Sequence, residues 1–245
     1  MRTKYALAAT LMSLALFAGI SKILAEDPKP DAHGFISLFN GKDLTGWEGM
    51  EGYWSVKDGV ISGHETKDKS KQTFLIYKEP VKDFELHCSF KFNAVDGKVD
   101  GNSGIQFRSK VLDAKTFRVG GYQADFDAGN TFTGIIYDEA SVAGGRGVMS
   151  NRGEKTHWDA DNKRHNEKGP MSDAELKKTI KVGDWNDVIL VVQGNHITYS
   201  INGNVTTDCV DESPKALKEG VLAIQLHAGF TMEIQIKDIT MKKLD

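Results

Sequence analysis

The chain has 245 residues, 31 basic against 34 acidic, 7 histidines, two cysteines and a formal net charge of −3. That slight acidity, with no basic stretch interleaved with aromatics, argues against a nucleic-acid partner, whose phosphates call for clustered lysine and arginine. Only the amino-terminal apolar run approaches membrane-spanning length, and no second apolar segment is long enough to cross a bilayer as a helix.

That run comes first in the chain. Arg2 and Lys4 precede an uncharged apolar stretch from Tyr5 to Ser21, and Lys22 follows it. This is the pattern of an export signal over residues 1–25, cleaved after Ala25; a retained anchor is the alternative, for which the stretch is short. The expected location is periplasmic or extracellular, with no stable membrane span once the signal is gone. The mature chain then carries 28 basic against 34 acidic residues. Residues 26–34, with "DPKPDAHG", read as a linker, and 35–245 as a single domain.

Beyond the linker, strand signals with turn residues at short intervals predict a sandwich or barrel. "WSVKDGVISG" (54–63) reads as a hairpin around Asp58-Gly59, which sets Val56 opposite Ile61. "DFELHCSFKF" (83–92) alternates, with Phe84, Leu86, Cys88, Phe90 and Phe92 on one side. In "GNSGIQFRS" (101–109), Asn102 and Gly104 are expected to make a turn that sends Ile105 and Phe107 to the core and Gln106 and Arg108 to the other face. "GGYQADFD" (120–127) and "TGIIYDE" (133–139) follow.

The polar, glycine-rich insertion from 144 to 181 is too long for an ordinary connection and reads as a functional or mobile loop. Within it, His157, Asp159, Asp161 and His165 resemble a loose cation loop, against the simpler reading of a solvated charged loop. Ser172 and Glu175 form a capping box for a short helix. "DVILVVQGNHITYSI" (187–201) reads as a hairpin pairing Val192 with Ile197, Leu190 with Tyr199 and Val188 with Ile201. "GVLAIQLHA" and "TMEIQIKDITM" complete the strands. Asn204-Val205-Thr206 is formally a glycosylation sequon, best explained by chance. Cys88 and Cys209 are read as small core residues ahead of a disulfide pair.

The faces turned away from the core gather amides, acids, a guanidinium and imidazoles: Gln106 and Arg108; Gln123, Asp125 and Asp127; Gln225 and His227; Glu233, Gln235 and Lys237; Glu85 and His87. Such groups offer the paired donors and acceptors that sugar hydroxyls need. Asn102, Gln106, Gln123, Gln225 and Glu233 are therefore candidate saccharide ligands, with the wet side of a sandwich as the plain alternative. The reading requires Arg108 and His227 to share one hollow.

These stretches, together with "FISLFNGKDLTGW" and "GDWNDVILVVQGNHITYSING", occur in an order that resembles the 3-keto-disaccharide hydrolase family. The resemblance covers nearly all of the mature chain. It implies an all-β fold, a concanavalin/laminarinase-like jelly-roll β-sandwich, here with one short helix and the long polar insertion. It also implies an exported bacterial enzyme acting on glycosides oxidised at C3, by eliminating the C1 substituent and hydrating the product. Relatives carry Glu then Gln where this chain has Gln123 and Asp125.

Such chemistry needs a base for the C2 proton, a partner for charge on the C3 oxygen and an acid for the leaving group. His227 is the candidate base, since an imidazole titrates near neutrality, or else it is a histidine tied to a neighbouring strand. Arg108 or Lys237 is the candidate oxyanion partner, unless they are salt-bridge partners of Asp125 and Glu139. Asp125 or Glu139 is the candidate acid. A divalent metal held by His227, Asp125, Glu139 and His87 is an alternative to the oxyanion cation. Two other classes stay open: a carbohydrate-binding module without catalysis, and a surface scaffold.

Overall fold

In a computed structural model of the chain, residues 29–66 and 71–244 are described; the expected signal at 1–25 lies outside them. In chain order the first strands are β1 (Ile36–Ser37), β2 (Trp47–Glu48), β3 (Trp54–Lys57), β4 (Val60–Glu65), β5 (Thr73–Tyr77) and β6 (Phe84–Val95). Then come β7 (Lys98–Val99), β8 (Asn102–Asp113), β9 (Arg118–Asp127), β10 (Ile136–Glu139), β11 (Val148–Ser150), β12 (Glu154–Trp158) and β13 (Arg164–Lys168). Helix α1 (Asp173–Thr179) precedes β14 (Asn186–Gln193), β15 (His196–Ile201), β16 (Asn204–Asp211), β17 (Val221–Leu226) and β18 (Met232–Lys243).

The strands form the two layers of a jelly-roll sandwich. The first sheet runs β13-β12-β16-β15-β14-β6-β18-β4-β3, and the second β11-β10-β9-β8-β17-β5-β2. Alternation decides which residues fill the space between them. Phe84, Leu86, Phe90, Leu190, Tyr199 and Ile236 of the first sheet meet Ile105, Phe107, Tyr122, Phe126, Ile224 and Leu226 of the second in one buried cluster. Phe90 and Phe126 stack across it, with ring centroids 4.2 Å apart.

Both expected hairpins form in register: Val56 opposite Ile61, and Val188, Leu190 and Val192 opposite Ile201, Tyr199 and Ile197. The Ser172–Glu175 capping box caps α1. Cys88 and Cys209 are free thiols in the core, where burial pushes each up to about 12.

The insertion is ordered. β12 pairs with β13 and, in parallel, with β16, so it widens the first sheet. Its "HWDADNKRH" stretch is a plain hairpin: Asp159 accepts from the Asp161 and Lys163 amides and pairs with His165 at 2.7 Å. Among the described residues, no helix is long and apolar enough to cross a membrane.

The second sheet is bent over on itself. β8 carries a bulge between Phe107 and Lys110, where pairing with β9 shifts, and Arg108 takes a left-handed φ of +47° within it. A bulge kinks its strand and tightens the local twist. Beyond it the β8–β9 hairpin curls across the sheet's outer face. Phe74 and Ile76 of β5 and Ala223 of β17 therefore pack against Val119 of β9, and Thr73 Oγ1 donates to Thr116 O at 2.9 Å. β17 and β8 separate β5 from β9 in the sheet, so only folding over can bring them together.

Candidate functional site

Beside this fold, on the outer face of the same sheet, lies a cavity of about 530 Å3, lined by Asn102, Gln123, Asp125, Phe132, Tyr137, Asp138, Glu139, His227 and the loop through Ala140, Ser141, Gly145 and Gly147. Its floor is the outer face of β8, β9, β10 and β17. Gln106, Gln123 and Tyr137 form one cross-strand row, and Asp125 lies opposite Gly104 in the next. Gly104 sits inside β8, not in a turn, and its role is room: a Cβ there would stand 2.7 Å from Gln123 Cγ, so only glycine lets Gln123 lie across the floor.

The floor is wired by amides. Ser109 Oγ donates to Gln106 Oε1 at 2.7 Å, Gln106 Nε2 to Gln123 Oε1, and Gln123 Nε2 to both Asp125 Oδ1 and, at 3.1 Å, Gln225 Oε1. Gln106 and Gln225 thus lie beneath the cavity as orienting residues, fully buried, while Gln123 and Asn102 face it. With Oδ1 of Asp125 accepting from an amide, Oδ2 is the oxygen left to carry a proton. Burial holds the Asp125 carboxyl well above the ordinary carboxylate range, and the nearby Glu139 and Asp127 push it the same way against the Gln123 hydrogen bond.

Glu139 comes from β10, next to the folded-over segment, and meets residues far from it in the sheet. Gln72 Nε2 donates to its Oε1 at 2.6 Å. Burial raises its pKa, opposed by the Gln72 bond, by His227 and Arg118, and by Gln225. Tyr137, beside Glu139 and Asp125, is raised by burial and then by those two acids. His227 Nδ1 lies 2.7 Å from Ala228 O. A carbonyl only accepts, so Nδ1 carries the hydrogen and Nε2 is the nitrogen free to take a proton.

Two acids shape the walls. Asp127 accepts from the Thr131, Phe132 and Thr133 amides and fixes the 128–134 loop. Asp138 accepts from the amides of Ala143, Gly145 and Arg146 and holds the loop that closes the cavity.

Of the expected catalytic set, Asp125, Glu139 and His227 converge; Arg108 and Lys237 do not. The bulge rotates Arg108 off the outer face. Its guanidinium is buried, 2% exposed, donating to Lys82 O, Gly194 O and Leu217 O and pairing with Asp83. It pins the ends of the two sheets together, and the requirement that it share a hollow with His227 fails; the site keeps Asp125, Glu139 and His227 and loses its expected cation. Lys237 and Glu233 lie on β18, so their outer face belongs to the opposite sheet. Lys237 Nζ sits 4.7 Å above the Trp185 ring, and Glu233 accepts from Asn93 at 2.9 Å. His87, on the same far face, pairs with Glu85 at 2.7 Å and cannot join a metal set with Asp125. Among the described residues, no three His, Cys, Asp or Glu side chains assemble as metal ligands.

Sequence reasoning missed Tyr137 and Gln72. Tyr137 was within reach, since it shares parity with Glu139. Gln72 carried no signal, because it stands just before β5, a strand buried on both faces, and parity assigns no polar side there.

A polar cavity on the outer face of a jelly-roll sheet, floored by amides and acids, defines a carbohydrate-active β-sandwich. The chain belongs to the 3-keto-alpha-glucoside-1,2-lyase-like domain family, whose profile matches residues 34–242. A 3-keto-disaccharide hydrolase of Bacteroides thetaiotaomicron is 32% identical over 95 residues, covering 35% of this chain and 31% of that relative. A putative glycosyl hydrolase from Parabacteroides distasonis shares the fold, with TM-score 0.56 and 20% identity over 87% of this chain and 95% of that one. So does the carbohydrate-binding module CBM66 from Bacillus subtilis, with TM-score 0.54 and 17% identity over 81% and 96%.

Proposed function

We propose that the protein is an exported enzyme that cleaves 3-keto-glycosides by elimination across C1–C2 followed by hydration. The observation that carries this reading is the meeting of a raised, buried acid, Asp125, with Glu139 and His227 in one cavity.

His227 Nε2 takes the C2 proton, and the charge that develops on the C3 oxygen accepts a hydrogen bond from the neutral Asp125 carboxyl. A neutral acid in a dry site supplies a donor where Arg108 was expected to supply a cation. The C1–O bond then breaks, its electron pair leaves on the glycosidic oxygen, and protonated Glu139 gives that oxygen a proton. In the return half, Glu139 carboxylate takes a proton from water as oxygen bonds to C1, and the His227 imidazolium returns a proton to C2. The site ends as it began, and the sum is hydrolysis.

The test is incubation with a 3-keto-glucoside, following enone absorbance and aglycone release. Both signals are expected, and binding without either favours the second reading. That reading, a module that binds saccharide without turnover, draws support from the fold shared with CBM66 and from a floor built of amides. Export is tested by sequencing the amino terminus of the secreted protein, expected to begin at Glu26.

A further inference from the structure

One large apolar side chain on the cavity wall remains without a role. Phe132 lines the polar cavity and is 46% exposed. Holding a phenyl ring in water is unfavourable, as is fixing the loop that bears it. Yet the loop is fixed twice over. From within, Asp127 Oδ1 accepts from the Phe132 and Thr133 amides at 2.7 and 2.8 Å, and its Oδ2 from the Thr131 amide at 3.0 Å.

From behind, the insertion braces it. Arg152, 3% exposed, donates to Asn130 Oδ1 at 3.0 Å and to Thr133 O, while its Nε pairs with Asp173 at the start of α1. Asn130 Nδ2 in turn donates to Lys177 O at 3.0 Å. A buried guanidinium and a helix therefore keep one exposed aromatic ring at the edge of a site whose floor is polar.

A pyranose ring has a face of C–H groups that packs on an aromatic plane, while its hydroxyls remain free to bond elsewhere. The polar floor takes the oxidised ring, and its cavity lies within the ~300–1,000 Å3 range of sites for ligands of drug size. We propose that Phe132 is the stacking platform for the second sugar ring, the one that leaves, and that the 144–181 insertion serves to hold it there through Arg152. The assignment of the second ring as the leaving one rests on the reaction proposed above; the stacking does not.

The test uses 3-keto-trehalose and methyl 3-keto-α-glucoside, and reads the ratio of kcat/KM between them. Phe132→Ala is expected to lower that ratio about tenfold, chiefly through KM, and Phe132→Trp to restore it. An unchanged ratio overturns the proposal. Asn130→Gly keeps the left-handed φ of +53° accessible while deleting the side-chain bonds to Arg152 and to Lys177 O, and is expected to lower the ratio by a smaller factor; no change overturns the bracing role. If the wild type turns over neither compound, the proposed reaction fails. The platform is then judged by calorimetry with trehalose and methyl α-glucoside. A wild-type preference for trehalose that Phe132→Ala removes supports it, and a preference that is absent or survives overturns it.

Discussion

The outer faces of the two sheets carry similar side chains in different surroundings. On the first sheet, His87 pairs with Glu85, His196 with Asp208 and His157 with Glu212, each an exposed or half-exposed couple on an open surface. On the second, Gln106, Gln123, Gln225, Asp125 and Glu139 are all buried, although they too stand on the face away from the core. The difference is what covers them: the folded-over β8–β9 segment lays Val119 on Phe74, Ile76 and Ala223, and the segments bearing Phe132 and Ala140 to Gly147 wall the cavity. Covered in this way, one set of acids and amides is shielded from water, and desolvation is what moves a carboxyl towards its neutral form. Composition supplied the groups on both faces, and the bent sheet with its wall loops made one of them a cavity.

The strongest way to test that contrast is to remove one histidine from each face. His227→Ala is expected to lower kcat by about 10²- to 10⁴-fold, the usual weight of a positioned acid or base. Its melting temperature should stay near the wild-type value, because the ring is only partly buried and its hydrogen bond is to the adjacent residue's carbonyl. His196→Ala, on the flat face, should leave turnover at the wild-type level. Equal losses in the two would mean that the bend does not distinguish the faces.

Arg108→Ala attacks the bend itself. It strands the Asp83 carboxylate and three carbonyls in a largely buried setting, and breaking such a pair from one side costs about 3–5 kcal/mol. Urea unfolding should show that loss. A loss under about 1 kcal/mol would show that the bulge holds without its pin.

Asp125→Asn reverses the usual sign. An acid whose folded pKa lies above its unfolded value of 3.8 keeps its proton in the folded state while the unfolded chain releases it, so wild-type stability falls as pH rises through that window. The amide cannot ionise. The variant should therefore melt above the wild type at pH 7, with the difference vanishing below about pH 4, and should lose turnover because an amide is a far weaker donor to an enolate than a carboxylic acid. A variant melting lower at pH 7 would place an ionised carboxylate at 125.

How far this was legible follows from parity. Gln106, Gln123, Asp125, Gln225 and His227 were each assigned to the outer face by alternation, and there they lie; Glu139 was named as a candidate acid without a face. Arg108 was assigned by the same rule and misplaced, because a two-residue count fails once a bulge intervenes and no glycine or proline at 108 announces one. Lys237 and Glu233 were correctly placed facing outward, but alternation cannot say which of two sheets a strand joins, and β18 belongs to the other. The pairing of Glu139 with Gln72 depends on a fold of the sheet across strands distant in sequence, which no local pattern encodes.

The smallest expected effect checks that last distinction. Lys237 and Lys91 both stand over the Trp185 ring, at 4.7 and 5.1 Å, and Lys237 lies 3.5 Å from Asp238. An exposed contact of this kind is worth about 0.5–1 kcal/mol, and with Lys91 left to cover the ring, Lys237→Ala should cost no more than the lower end of that range. Turnover should be unaffected, since the sandwich core lies between this lysine and the cavity. A variant that unfolds at the wild-type urea midpoint yet loses kcat would return Lys237 to the reaction and show that the two outer faces are not independent.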